Sequence, residues 1–118
     1  MSVSKAKGTR FESEVVEYLR SAGFPHVERR ALRGIRDTGD LSGLPGWVIE
    51  VKNTKTLKLG EFVAEAEAEA KRDGGARWVL IHKRHRRGVD SAHVTMSLAQ
   101  FAELLGVFDT PLMAKESK

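Results

Sequence analysis

Cysteine is absent from the 118-residue chain. That excludes disulfides, thiolate zinc sites and a cysteine nucleophile, and it suits a reducing compartment. No apolar run approaches the roughly 18 residues needed to cross a bilayer, so no membrane role or membrane partner is expected. The N-terminal MSVSKAKGTR is basic but lacks the apolar stretch of a secretory signal, which predicts a cytoplasmic protein. The four histidines, His26, His82, His85 and His93, have neither HxxxH nor carboxylate spacing, so they read as surface or strand residues and not as zinc ligands. Excess charge of one sign is modest, 20 basic against 16 acidic residues for a net +4, so the distribution has to carry any case for nucleic acid. It is uneven. Arg29, Arg30, Arg33 and Arg36 precede Asp40, KRHRRG spans Lys83 to Gly88, and the acids collect between Glu61 and Glu69.

At 41% apolar and 31% charged residues, the composition is that of a soluble globular protein with one core's worth of chain. Phe11, Val15, Tyr18, Leu19 and Ala22 form one helical stripe, predicting a helix over Thr9 to Ala22 that Gly23 and Pro25 stop. Val27 to Leu32 reads as a strand. Gly39 to Leu41 opens a hairpin whose turn is Ser42 to Gly46, and whose second arm is Trp47 to Lys52, where Trp47, Ile49 and Val51 alternate with Val48, Glu50 and Lys52. Alanine and glutamate content makes Glu61 to Arg72 a helix despite its alternating EAEAEA. Arg77 to His82 reads as a buried strand, with His93 to Met96 its hairpin partner. Ser97 with Gln100 has the spacing of a capping box opening a last helix through Leu105. Trp47 and Trp78 fall in strand patterns and are expected in the core. The order predicts an α/β domain over 1–118, one mixed sheet flanked by helices, with its core in 7–105 and tails at 1–6 and 107–118.

Folding the hairpin about Leu44 and Pro45 sets Asp40 or its neighbour opposite Glu50, roughly 5 Å between β-carbons. Like charges repel there, and at low dielectric one carboxyl is driven to keep its proton. A divalent cation reverses the sign. Magnesium prefers hard oxygen ligands and is often held by one or two carboxylates plus substrate phosphate oxygens. Lys52 projects from the same face as Glu50, where its ammonium either stabilises charge developing on a phosphate or, with a lowered pKa, accepts the proton of an attacking water. Glu12 and Glu14 flank the first helix's apolar stripe on opposite sides, both within plausible reach of the sheet, while Glu17 points to solvent. Thr9 with Glu12 also has capping-box spacing, a competing local use for that glutamate.

KGTRFE (Lys7 to Glu12), AGF (Ala22 to Phe24), GD (Gly39, Asp40) and IEVK (Ile49 to Lys52) together resemble the PD-(D/E)XK nucleases, and within them the archaeal-type Holliday junction resolvases and similar phage-encoded proteins. The likeness spans about residues 7–53, with a compatible order of elements through Leu105. It implies a restriction-endonuclease-like mixed sheet and an active site of Glu12, Asp40, Glu50 and Lys52, selecting Glu12 over Glu14. Magnesium, with manganese able to substitute, would be held by Asp40, Glu50, Glu12 and the backbone carbonyl of Val51. Gly39 stands where the family has its naming proline, a frequent change, and Asp37 is a nearby alternative carboxylate. The resemblance further implies a homodimer, no small-molecule cofactor, and four-way DNA junctions as substrate, in the host's cytoplasm if phage-encoded. Phosphate contacts are expected from Lys7, Arg10, Arg29, Arg30, Arg33, Arg36, Lys55, Lys83, Arg84, Arg86 and Arg87, which position DNA without reading its sequence. Two alternatives stay open: a restriction-like or repair nuclease acting on linear, nicked or flapped DNA, and a non-catalytic DNA-binding protein of the same fold.

Overall fold

The alternating stretch 47–52 and the apolar run 77–82 become the two central strands of one sheet. The structure, a computed structural model, describes residues 3–30 and 39–107. Helix α1 (Val3–Ser21) leads into β1 (Glu28–Arg29), β2 (Leu41–Ser42) and β3 (Trp47–Lys52). Then come α2 (Leu59–Arg72), β4 (Arg77–His82), a 3-10 turn (Val89–Ser91), β5 (His93–Thr95) and α3 (Leu98–Val107). The strands lie side by side in chain order, β3 and β4 parallel and every other neighbouring pair antiparallel. This is the α/β mixed sheet flanked by helices that the pattern of elements predicts. Among the described residues no helix is long and apolar enough to cross a membrane.

The parallel pair requires a crossover, which α2 supplies, and a strand inside such a unit is buried on both faces. Ile49 and Val51 of β3 join Val79 and Ile81 of β4 under α1, packing with Phe11, Val15, Val16, Val27 and Leu41. On the other face Val48 and Trp78 pack against Ala66 and Ala70 of α2, whose small side chains let the helix lie close to the sheet. Val48, Ile49, Glu50 and Val51 are all buried, so β3 is not the half-exposed strand that its outward Glu and Lys would suggest in isolation.

Four local expectations are adjusted. α1 begins at Val3 and not Thr9, drawing residues 3–6 into the helix; Thr9 is therefore interior, its carbonyl accepting from Ser13 Oγ at 3.1 Å, and it caps nothing. The strand read over Val27 to Leu32 is Glu28–Arg29, and residues 31–32 lie outside the described residues, as do Arg33, Arg36 and Asp37. Gly39 is no free exchange for proline in this backbone. Its φ is +94°, against about −65° for proline, and a Cβ would stand 2.8 Å from the backbone N and O of Ile49. Lastly, half of the expected capping box forms: Ser97 Oγ accepts from the Gln100 N–H at 3.2 Å, but the Gln100 side chain is drawn elsewhere.

That side chain completes the sheet. β5 pairs with Leu80 to His82 and stops, leaving Trp78 short of a strand partner. The buried Gln100 amide takes its place, accepting from Trp78 N–H at 2.9 Å and donating to Trp78 O at 2.6 Å. Replacing it strands two buried backbone groups, so Gln100→Ala is expected to destabilise the fold by about 1–3 kcal/mol. Urea unfolding followed by tryptophan fluorescence checks this, and an unchanged midpoint would refute it.

Candidate active site

Asp40 enters the site on the short β2 arm. The register Leu41↔Ile49, continued by one residue, sets Asp40 across from Glu50, as the hairpin reading expects. Three hydrogen bonds fix it. Its N–H donates to Ile49 O at 2.7 Å, its carbonyl accepts from Arg30 N–H at 2.8 Å, and its Oδ2 accepts from Val51 N–H at 2.7 Å. The close approach at Gly39 lets the chain enter this turn against Ile49. Val51 thus serves the site through its N–H, which holds the aspartate.

Glu50 is 3% exposed, with the Asp40 and Glu69 side chains both within hydrogen-bonding reach. Burial, first, then the contact with Glu69 and the negative charges of Asp40 and Glu69 push its carboxyl up to about 11. Without a cation, Glu50 therefore keeps its proton at neutral pH. Glu12 projects from α1 toward the same region. Its Oε1 accepts from Arg29 Nε at 3.0 Å, and its carboxyl is raised, chiefly by burial and also by Asp40, against the lowering influence of Arg29 and Lys52. Glu14 instead lines a shallow groove with Tyr18 and Val89, so the geometry brings Glu12, not Glu14, beside Asp40. Glu17 is exposed, as periodicity predicts.

Lys52 closes the constellation on the α2 side. Its Nζ lies 3.5 Å from Glu65 Oε2 and 4.7 Å from the centre of the Phe62 ring. The α2 glutamates are what the sequence reading missed. Glu50, Glu65 and Glu69 present oxygens all within 4.8 Å of one another. EAEAEA was legible as a helix, and a signal for its inward acid was present: Glu69 sits between Ala66 and Ala70 on the stripe that packs on β3 and β4, a position where the pattern calls for an apolar residue.

Beyond Lys52 the surface turns basic. Lys7 from α1, Asn53, Thr54 and Lys55 after β3, and Lys83, His85 and Arg86 after β4 line an open groove of about 630 Å³. It lies at the carboxyl ends of the two parallel strands, where open α/β sheets place their ligands. The Lys83 N–H donates to Lys52 O at 3.0 Å, and Lys83 Nζ donates to Arg87 O at 2.9 Å, shaping the turn in which Arg86 has φ +59°. Of the predicted phosphate-binding residues, Lys7, Lys55, Lys83 and Arg86 thus share one groove, joined by Asn53, Thr54 and His85. Arg10, Arg84 and Arg87 lie outside its lining, Arg29 is engaged by Glu12, and Arg30 lines a different depression near Trp47. The remaining histidines match their structural reading: His82 is buried with Nε2 3.0 Å from Thr95 Oγ1, its ring held below the usual range by burial and by His93.

The donor set suits a hard divalent ion: every candidate side-chain ligand is a carboxylate oxygen, and Glu69 Oε2 is buried without a hydrogen-bond partner among the described residues. Comparison of the chain with protein-family models, curated proteins and solved structures found no match.

Proposed function

We propose that the protein is a magnesium-dependent, structure-selective DNA endonuclease of the junction-resolving kind, acting as a homodimer. The observation that carries this reading is the meeting of the Asp40 and Glu50 side chains across the β2–β3 pair, with Glu12 and Lys52 beside them and a basic groove adjoining. Two acids forced together in a buried place are a liability to an ordinary sheet and an asset to a cation site. The resemblance in KGTRFE, GD and IEVK assigns the same four residues independently of their packing.

In this reading Asp40, Glu50 and Glu12 hold magnesium or manganese, which when bound supplies positive charge to the scissile phosphate and lowers the pKa of water at the site. The chain does the positioning. Lys7, Lys55, Lys83 and Arg86 fix DNA phosphates along the groove, while the Val51 N–H keeps the Asp40 carboxylate aimed. Lys52, which rests beside Glu65 and the Phe62 ring in the metal-free protein, would turn its ammonium to the charge that develops on the phosphoryl oxygens. The water oxygen forms one new P–O bond as the P–O bond to the leaving oxygen breaks; the proton that water gives up passes to solvent and the leaving oxygen takes one from it, so the sum is the addition of one water.

The test is a cleavage panel of labelled four-way junction, flap, nicked and linear duplex DNA, with magnesium and with chelator. Magnesium-dependent cutting of the junction in preference to linear duplex of the same sequence is expected. Equal cutting of all substrates would move the reading to a repair-type nuclease, and binding without cutting under every metal condition would overturn the enzyme.

Phosphate contacts also predict a salt signature. Lys55→Ala with Arg86→Asn, asparagine tolerating the positive φ, should weaken junction binding about ten- to a hundredfold near 0.1 M salt. It should also flatten the slope of log affinity against log salt by about 1–2. Electrophoretic-mobility titrations at several salt concentrations measure both, and an unchanged slope would remove the groove from the interface.

A further inference from the structure

Glu69 presents a chemical problem that the site described above does not solve. It lies in the middle of the α2 face that packs on the sheet, only 5% exposed, with the Glu50 carboxyl beside it, and its Oε2 is buried with no hydrogen-bond partner among the described residues. A carboxylate in such a place costs several kcal/mol unless a proton or a cation meets it, and the one proton that Glu50 keeps has two acids to serve, Asp40 and Glu69. The nearest acids compound the cost. Glu65 is one helical turn away, an i, i+4 like-charge pair that disfavours the helix, and Glu50 faces both from β3. Lys52 answers only part of this, reaching Glu65 Oε2 at 3.5 Å on the exposed rim while Glu69 Oε2 keeps no hydrogen-bond partner among the described residues.

We propose a second divalent-cation position on the α2 side of β3, held by Glu50, Glu65 and Glu69, with Glu50 shared between it and the Asp40 position. The spacing of the oxygens fits a single ion. Ligands on opposite sides of one cation stand apart by twice the metal–oxygen distance, about 4.2 Å for magnesium and about 4.8 Å for calcium. The three glutamates present oxygens within 4.8 Å of one another. All three donors are hard oxygens, which selects magnesium, manganese or calcium over zinc or copper. The groups also come from two rigid elements: Glu50 from the central strand, Glu65 and Glu69 from successive turns of a helix packed on it through Ala66 and Ala70. Glu65, about half exposed, gives an ion and its waters access from solvent.

The two positions divide the acids between them: Asp40 and Glu12 serve one, Glu65 and Glu69 the other, and Glu50 lies between. The second position deepens the nuclease reading by raising the number of cations at the site, and the sharing of Glu50 rests on that reading. Cation binding by the α2 pair does not.

Stoichiometry separates these cases. Metal-free full-length protein near pH 7.5 is titrated with manganese, free ion being followed by electron paramagnetic resonance, and with magnesium by calorimetry. Wild type is expected to bind two ions per chain. Glu65→Gln/Glu69→Gln should retain one, Asp40→Asn should retain the other, and the triple variant should bind none. Loss of an outer-shell partner already costs about 10–100-fold in metal affinity, so each ligand change should weaken its own position at least about tenfold. Glu65→Gln alone alters an exposed side chain and carries the test if Glu69→Gln disturbs folding; it should weaken one of the two ions and spare the other. If Glu65→Gln and the double variant bind as wild type does while Asp40→Asn abolishes binding, the second position is wrong and the nuclease site stands. If Asp40→Asn binds as wild type does and the glutamine variants lose the ion, the second position stands and the proposed catalytic site fails. A wild type that binds no manganese overturns both.

Discussion

Asp40→Asn and Glu50→Gln are each expected to lower junction cleavage by about 10²–10³-fold or more while leaving junction binding, measured without divalent ion, intact or tighter. The size follows from what the carboxylates do. Removing a preorganised electrostatic group from a water-poor site costs about 10²–10³ in rate, and here the group also holds the cation that supplies much of the positive charge. Binding survives because the groove residues Lys7, Lys55, Lys83 and Arg86 lie on other elements and are untouched by either change. Removing a negative charge beside them favours phosphate. The two variants differ in one respect. Asp40 Oδ2 also accepts from the Val51 N–H, so asparagine can keep that bond only with its amide turned oxygen-first. Glu50→Gln carries no such backbone duty. Single-turnover cleavage beside a binding isotherm for each variant measures the split, and cutting at the wild-type rate by either variant would reassign the site.

Glu50→Gln is also expected to stabilise the metal-free protein at and above neutral pH. Folding raises the Glu50 carboxyl from its ordinary value near 4.5 to about 11. Across that window the folded state binds a proton that the unfolded chain has released. Stability from this group is therefore fully present below about pH 4.5 and is lost as pH rises toward the folded value, at up to about 1.4 kcal/mol per pH unit. Glutamine mimics the protonated form at every pH and removes the slope. At pH 8 the gain should be about 1–3 kcal/mol, or roughly 5–15 °C in Tm for a domain of this size. Magnesium should act in the same direction on the wild type, raising Tm at pH 8, much less at pH 5, and little in Glu50→Gln. Differential scanning calorimetry from pH 5 to 9, with and without 10 mM-scale magnesium, tests the sign. A wild type whose metal-free stability climbs through that range with no relief in Glu50→Gln would contradict the burial described for this carboxyl. A site residue that destabilises its own fold is a common trade of stability for activity.

The parts of this fold that were legible in the sequence are those where apolar pattern alone decides. Trp78 to Ile81 admit only a buried strand, and the alternation from Trp47 to Lys52 fixes β3 residue for residue. The pairing of Asp40 with Glu50 was legible because a short turn leaves little freedom of register. What escaped was polar chemistry inside helices. Periodicity marks a helix's apolar face and assigns glutamates to solvent by default, so Glu69 was hidden among exposed Glu61 and Glu67. Gln100 shows a related limit: its backbone N–H keeps the expected cap to Ser97, while its side chain fills a strand vacancy at Trp78 that exists only once β5 has stopped short. The apolar stripe from Phe11 to Ala22 predicts a start near Thr9, whereas the helix runs back to Val3 through residues that the stripe does not reach.

Arg29 is tied to Glu12 and Lys52 to Glu65, so two basic groups bordering the acidic pocket are already engaged by neighbouring carboxylates. In the nuclease proposed here, an ion that takes over those carboxylates sets both cations loose for an incoming phosphate. A phosphate that captures the cations leaves the carboxylates hungry for an ion. Each visitor thus improves the reception of the other by the same factor, as thermodynamic reciprocity demands, and until both are at hand Arg29 and Lys52 stay matched to their carboxylates.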